Sequence, residues 1–294
     1  MAQHMTMTGK TCLVTGASGG IGKETALALA QMGATVLMVA RDRARGDAAV
    51  ADIRRRSPGA AIELFHADLS SQRQVRQLAT DVSARHRRLD VLINNAGVVN
   101  AARHVTEDGL EATFAVNHMA PFLLTHMLRQ SLNAAAPSRV VNVSSYLHNM
   151  AKTIPWDDLQ SEREYRSHAV YNLTKLMNVL FTYQLASQGS GNGFTANCLH
   201  PGWPLKTDLG RQERGASGMF DRVTRLFASS ARKGAQTSVY LASSSVVAAV
   251  SGSYFTNCRV SSSSKLSNDR AAAERLWELS RELCGVAPRL VRPN

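Results

Sequence analysis

Among the six tyrosines of this 294-residue chain, Tyr171 alone is followed four positions on by a lysine, Lys175, within a stretch of helical periodicity from Ser167 to Ala186. One helical turn separates the two, so both side chains leave the same face and can meet over one small volume. A free phenol titrates near about 10 and a free lysine near about 10.4, so neither does acid–base work well at neutral pH. A cation beside the phenol favours phenolate, lowers the tyrosine pKa and makes it a usable proton donor and acceptor. A surface helix can carry the same spacing by chance, so the pair needs partners elsewhere in the chain.

The elements that would supply them begin with Lys10 to Thr15, a short apolar run rich in β-branched residues. Gly16-Ala17-Ser18-Gly19-Gly20-Ile21-Gly22 follows, then a helical pattern from Lys23 to Met32. Strand, glycine loop and helix together bring backbone N–H groups and a helix N-terminus to a pyrophosphate, so Gly16, Ser18, Gly19, Gly20, Ile21 and Gly22 are expected to hold a dinucleotide. A second strand, Thr35 to Ala40, ends at Arg41. An acidic residue there would accept from a ribose 2′-hydroxyl; Arg41 can instead fork onto a 2′-phosphate, which favours NADP(H) unless Asp42 faces the ribose. Arg45 is either a second phosphate partner or an exposed helix-start arginine.

Further along, a helix from Ala44 to Arg56 and a strand from Ala61 to His66 place Asp68, beside Leu69, where its carboxylate could meet an adenine amino group. A helix over Gln72 to Arg85 precedes the apolar strand Leu89 to Asn94, which runs into Asn95-Ala96-Gly97. Open α/β sheets bind ligands at such strand ends. The helix Gly109 to Leu132 carries Asn117, a core amide or a site residue, and the strand Arg139 to Val143 ends in Ser144-Ser145. An insertion from Tyr146 to Arg166 leads to the Tyr171 helix, and a sixth strand, Phe194 to Leu199, runs into His200-Pro201-Gly202. This alternation argues a doubly wound α/β parallel sheet flanked by helices in a single domain. The expected boundaries are a disordered lead-in over 1–9, the domain over 10–285 and a tail over 286–294.

Hydrophobic residues at 44% and charged residues at 19% are ordinary for a globular protein. No apolar run is long enough to span a bilayer, and the first ten residues carry no export signal, so a cytoplasmic location is expected. The four cysteines, Cys12, Cys198, Cys258 and Cys284, are scattered, which argues against a metal site and a disulfide framework. A net charge of +12 raises the question of nucleic acid. The arginines, however, cluster at helix ends without interleaved aromatics or helix-turn-helix or finger spacing, so no nucleic-acid partner is expected.

Taken in order, Thr15 to Gly22, Asn94-Asn95-Ala96-Gly97, Asn117, Val143-Ser144-Ser145, Tyr171-x-x-x-Lys175 and Pro201-Gly202 make the chain resemble the short-chain dehydrogenase/reductase family from Lys10 to Gly285. Phe114 to His118, Lys175 to Thr182, Gly234 to Ala242 and Val250 to Phe255 are similar to its retinol dehydrogenase branch. The resemblance implies a Rossmann fold with a seven-stranded sheet, a closing helix from Asp269 to Cys284, and possible homo-oligomerisation. Members of that branch often carry an N-terminal membrane segment, which this sequence does not show. Pro121 follows Asn117 where the branch usually has a small or polar residue, and is expected to bend the helix there. The spacing from Pro201-Gly202 to Thr207 is one residue longer than usual, which leaves the contact of Thr207 with a nicotinamide open.

The same resemblance implies a mechanism. A nicotinamide delivers hydride to a carbonyl carbon while Tyr171 protonates the oxygen, Ser145 holds that oxygen, Lys175 binds the nicotinamide ribose, and Asn117 fixes a water behind the lysine. The segment 205–230 is expected to cover the substrate. Tyr146, His148, Met150, Trp203, Met219, Phe220 and Phe227 are the candidate lining, an apolar and aromatic set that favours a hydrophobic ketone, aldehyde or alcohol. Two alternatives share the scaffold. A carbon–carbon double-bond reductase like the protochlorophyllide reductases would call for a long insertion or a cysteine near Tyr171, and neither is present. A silent nucleotide-sensing protein is at odds with an intact Asn117, Ser145, Tyr171 and Lys175.

Overall fold

The computed structural model describes residues 6–188, 193–202 and 231–286. Eight strands form one sheet: β1 (Thr11–Thr15), β2 (Thr35–Ala40), β3 (Ile62–His66), β4 (Val91–Asn94), β5 (Ser138–Val143), β6 (Phe194–Leu199), β7 (Tyr254–Thr256) and β8 (Arg259–Ser261). Their spatial order is β3-β2-β1-β4-β5-β6-β7-β8, and all neighbours are parallel except β7 and β8. The order reverses between β1 and β4, which opens a crevice at the carboxyl ends of those strands.

The period of two in each strand divides the core into two layers. Leu13, Leu37, Leu92 and Val140 point to a layer filled from α3 (Gln72–Arg85), α5 (Ala120–Met127), α7 (Ser167–Ser187) and α9 (Arg270–Leu283). Val14, Val36, Ile93 and Val141 point the other way, to α1 (Gly20–Gln31), α2 (Arg43–Arg56) and α8 (Ala231–Ser243). Because both faces are covered, the central strands read as unbroken apolar runs.

Three expectations are corrected. The sheet has eight strands rather than seven: after the seventh, Asn257 and Cys258 take φ of 48° and 60° and reverse the chain into β8. Two consecutive left-handed residues make a tight hairpin, but an Asn-Cys pair ahead of a three-residue strand carries little sequence signal. The helix expected over Gly109 to Leu132 is broken into α4 (Ala112–Phe114), a π turn (Ala115–Met119), α5 and α6 (Arg129–Ala134). Ala120 N–H reaches back five residues to Ala115, and Pro121 has no N–H with which to continue the ladder. Finally, the lead-in is anchored at Met7, which is buried and whose N–H donates to the Met32 carbonyl at 2.8 Å, while Thr6, Thr8 and Gly9 are exposed. Among the described residues no helix is long and apolar enough to cross a membrane.

Candidate active site

The crevice at the β1/β4 reversal is a cleft of about 540 Å³. Its floor is fixed by Thr15, the last residue of β1, whose Oγ1 accepts from the N–H groups of Asn95 and Ala96, each at 3.0 Å. The Asn95 amide donates back to the Thr15 carbonyl at 2.8 Å. These bonds tie the end of β4 to the glycine turn.

That turn needs glycines for two reasons. Gly16 has φ of +66°, and a Cβ there would lie 2.9 Å from Ala96 Cα. At Gly22 a Cβ would fall 2.3 Å from the Gly16 carbonyl oxygen and 2.5 Å from Asn95 Nδ2, so only glycine lets α1 seat on the turn. Gly22→Ala is therefore expected to cost about 2 kcal/mol of stability by overpacking and to weaken dinucleotide binding with it. Urea melts and calorimetric titration with NADPH read both, and unchanged values would show that α1 can shift without consequence.

Gly19 caps α1 with no side-chain hydrogen bond, so the first N–H groups of the helix are left to whatever occupies the cleft. Gly20 has φ of +52° and open space beside its Cα. Ser18 and Ile21 complete this wall. An uncapped helix N-terminus in a glycine cradle is the donor set that a pyrophosphate requires.

At one end of the cleft stand Arg41, Asp42 and Arg45. Asp42 is the N-cap of α2, its Oδ1 accepting from Arg45 N–H at 2.8 Å. That bond holds Oδ1 at the helix start, and the Arg41 side chain is exposed beside the cleft. Asp68 and Leu69 line the same end, and Asp68 Oδ1 accepts from both the N–H and the hydroxyl of Ser70, at 2.9 and 2.8 Å.

At the other end Ser145, Tyr171 and Lys175 converge with Gly97, Pro201 and Gly202. The two serines at the end of β5 divide their work. Ser144 is buried and its hydroxyl donates to the Lys175 carbonyl at 2.8 Å, pinning α7 to the strand. Ser145 instead lines the cleft together with Tyr171.

Burial pushes the Tyr171 phenol up to about 12 against the lowering effect of the nearby Ser145 hydroxyl. Burial also pushes Lys175 down to about 8. Lys175 is thus not the leading influence on the phenol that the spacing suggests. Its Nζ lies 5.5 Å from the ring centre and donates to the Val143 carbonyl at 3.1 Å, and desolvation of the phenol outweighs it.

Asn117 stands behind this cluster rather than on the cleft wall. Its Oδ1 accepts from Val98 N–H at 2.8 Å, and its Nδ2 donates to the Val98 carbonyl at 2.9 Å and to Thr174 Oγ1 at 3.1 Å. With its amide fully engaged, Asn117 clamps the chain after β4 against α7. Gly97 allows the close approach, since a Cβ there would come within 3.3 Å of Lys175 Nζ and 3.4 Å of Asn117 Oδ1.

Other expected wall residues are placed differently. Ser145 caps a short 3-10 turn, Tyr146–Met150, by accepting from Leu147 N–H at 3.2 Å. Leu147 faces the cleft, Tyr146 and Met150 are exposed, and His148 is fully buried behind Ser145 instead of lining the pocket. Trp203, Thr207, Met219, Phe220, Phe227 and the covering segment lie outside the described residues. Val98, Val99 and His168 line the cleft and were missed. Only His168 left a sequence signal, because it sits one turn before Tyr171 on the same helical stripe.

A family model described as short chain dehydrogenase matches residues 10–217. Retinol dehydrogenase 13 of Homo sapiens is 40% identical over 98% of this chain and 88% of its own length. The crystal structure of an uncharacterised protein from Mycobacterium paratuberculosis is similar with a TM-score of 0.77 at 30% identity, covering 97% of this chain and 96% of that one. A blue fluorescent protein from a metagenomic library, solved in complex with NADPH, has a TM-score of 0.65 at 28% identity over 85% of this chain and 96% of its own. With the cleft, the glycine turn and the Ser145–Tyr171–Lys175 cluster, these matches mean that the chain belongs to the short-chain dehydrogenase/reductase family, in its retinol dehydrogenase-like branch, and is an NAD(P)-dependent oxidoreductase acting on CH–OH and C=O groups.

Proposed function

We propose that the protein is an NADP(H)-dependent reductase of hydrophobic ketones or aldehydes, able to oxidise the matching alcohols by the same path. The observation that carries this reading is the convergence of Ser145, Tyr171 and Lys175 at one end of a glycine-cradled cleft whose other end is Arg41. When bound, a nicotinamide supplies or accepts the hydride. Tyr171 gives its proton to the substrate oxygen, and Ser145 holds that oxygen by a hydrogen bond as charge develops on it. Lys175 is placed to bind ribose hydroxyls and to return a proton toward the phenol. Asn117 keeps Gly97 and α7 at their spacing. Val98, Val99 and Leu147 at this end support an apolar substrate.

The coenzyme preference rests on Arg41. Arg41→Ala is expected to lower kcat/KM with NADPH by about 30-fold, the worth of a charge-assisted phosphate contact, and to change that with NADH far less. Equal losses with both coenzymes would remove the 2′-phosphate argument. The substrate class is tested by assaying purified enzyme on lipophilic and small polar carbonyls with NADPH and NADH in parallel. Turnover of lipophilic carbonyls with NADPH is the expected outcome; activity confined to small polar carbonyls would overturn it.

A further inference from the structure

Displaced from the pocket wall, His148 has a different set of partners. The imidazole is fully buried. Its Nδ1 lies 2.7 Å from the carbonyl oxygen of Ser145, which also accepts from the backbone N–H of His148 at 3.1 Å. On the far side of the ring, Nε2 lies 3.0 Å from the backbone nitrogen of Ser264. A backbone N–H can only donate, so Nε2 is the bare acceptor and a neutral ring carries its proton on Nδ1, directed at Ser145. Burial lowers the imidazole pKa and so favours that neutral form. Tyr254 packs beside the ring, its centre 4.9 Å from that of His148 and its hydroxyl 3.4 Å from Nδ1, where it can accept a share of the same Nδ1 proton.

We propose that His148 is a positioning residue that holds the Ser145 backbone by its carbonyl and braces it against the chain segment following β8, so that the serine hydroxyl stays aimed at the substrate oxygen. The brace is anchored at both ends. Ser264 follows Ser263, whose Oγ is hydrogen-bonded to the Tyr183 hydroxyl and the Ser267 hydroxyl, each at 2.8 Å. Tyr183 lies on α7, the helix that carries Tyr171 and Lys175. Ser145 is thereby referenced to the helix that bears its catalytic partners, through a route that avoids the open cleft. With its carbonyl held by two donors from His148 and its Oγ accepting from Leu147 N–H, the hydroxyl proton of Ser145 is left for the cleft side. A ring with a donor on one edge and an acceptor on the other is what this span needs, and the geometry uses both nitrogens.

This inference rests on the reading that Ser145 holds the reacting oxygen, and three substitutions in the full chain separate the two bonds. Asn places an amide donor near Nδ1, Gln places an amide oxygen near Nε2, and Phe keeps the ring volume with neither. His148→Phe and His148→Gln are expected to lose about 30-fold in kcat, part of what removal of an oxyanion donor costs, with NADPH affinity little changed. His148→Asn is expected to recover most of that loss. Hydrogen-exchange protection of the Ser264 amide should be lost in the Phe and Asn variants and retained in the Gln variant. On a Ser145→Ala background His148→Phe should cost nothing further, because residues acting through one another are not additive.

Wild-type kcat in His148→Phe and His148→Gln would overturn the proposal, as would a kcat loss that follows thermal stability regardless of which bond is kept. An equal cost of His148→Phe with and without Ser145 would also overturn it. If the wild-type enzyme turned over no carbonyl at all, the functional reading would fail instead, and the exchange pattern at Ser264 would still decide whether the brace exists.

Discussion

Replacing Tyr171 by Phe is expected to lower kcat for carbonyl reduction by about 1,000-fold, within the range contributed by a positioned general acid. NADPH binding should change by no more than severalfold. The substitution removes one oxygen from a side chain that is otherwise part of the core, so the ring continues to pack and the fold is kept. What is lost is the proton for the oxygen that gains charge as hydride arrives. Ser145 can still hydrogen-bond that oxygen but cannot leave it neutral, which is why the loss should exceed that of Ser145→Ala. Single-turnover rates and coenzyme titrations on the same preparation check both halves. A Phe variant retaining a tenth of wild-type turnover would mean that another group delivers the proton. A wild-type protein that binds NADPH and reduces nothing would favour a sensing role.

Lys175→Met is expected to abolish turnover on a similar scale while making the protein more stable near neutral pH. The sign follows from burial. Burial of Lys175 pushes its ammonium down from the ordinary 10.5 to about 8 in the fold. Between those values the unfolded chain binds the extra proton, so stability rises with pH across this window and the lysine's contribution is lost as pH falls toward 8. Below 8 the fold carries a desolvated ammonium that donates to the Val143 carbonyl at 3.1 Å. Methionine has nearly the same length without the charge, and its midpoint should exceed wild type by about 4 °C at pH 7. The difference should shrink as pH approaches 10. Tyr171 acts oppositely: burial pushes it up from the ordinary 10 to about 12, so its contribution is complete below 10 and is lost as pH rises through 12. Melting curves of both proteins from pH 7 to 10 provide the test. A methionine variant less stable than wild type at pH 7 would show that the Val143 bond outweighs the desolvation. A stabilised, inactive variant would mark Lys175 as a residue held for chemistry at a cost to stability.

The alternation of strands and helices was legible because each element announces itself within a few residues. The period of two in β1 and β2, the 3.6-residue stripe of α3 and the glycine turn before α1 need no distant partner to be recognised. The break between α4 and α5 was not legible, because helical periodicity runs straight through Ala115 to Met119 and the sequence announced only a bend at Pro121. The hairpin into β8 depends on a left-handed Cys258, which residue type does not announce.

Within the site, the sequence alone determined which side chains have the right chemistry and the order in which they occur: the glycines of the turn, Arg41, Asn117, Ser145, Tyr171 and Lys175. Tertiary structure decided what each of them faces. It committed Asp42 to capping α2 and left Arg41 at the cleft, tied Ser144 to the α7 backbone, placed Asn117 behind Gly97, and turned His148 inward toward Ser264. It also set the titration of Tyr171 and Lys175, where desolvation overrides the four-residue spacing. The reason is physical: composition and spacing are local properties of a chain, whereas burial and hydrogen-bond partners are created when segments as distant as His148 and Ser264 are brought together by the sheet.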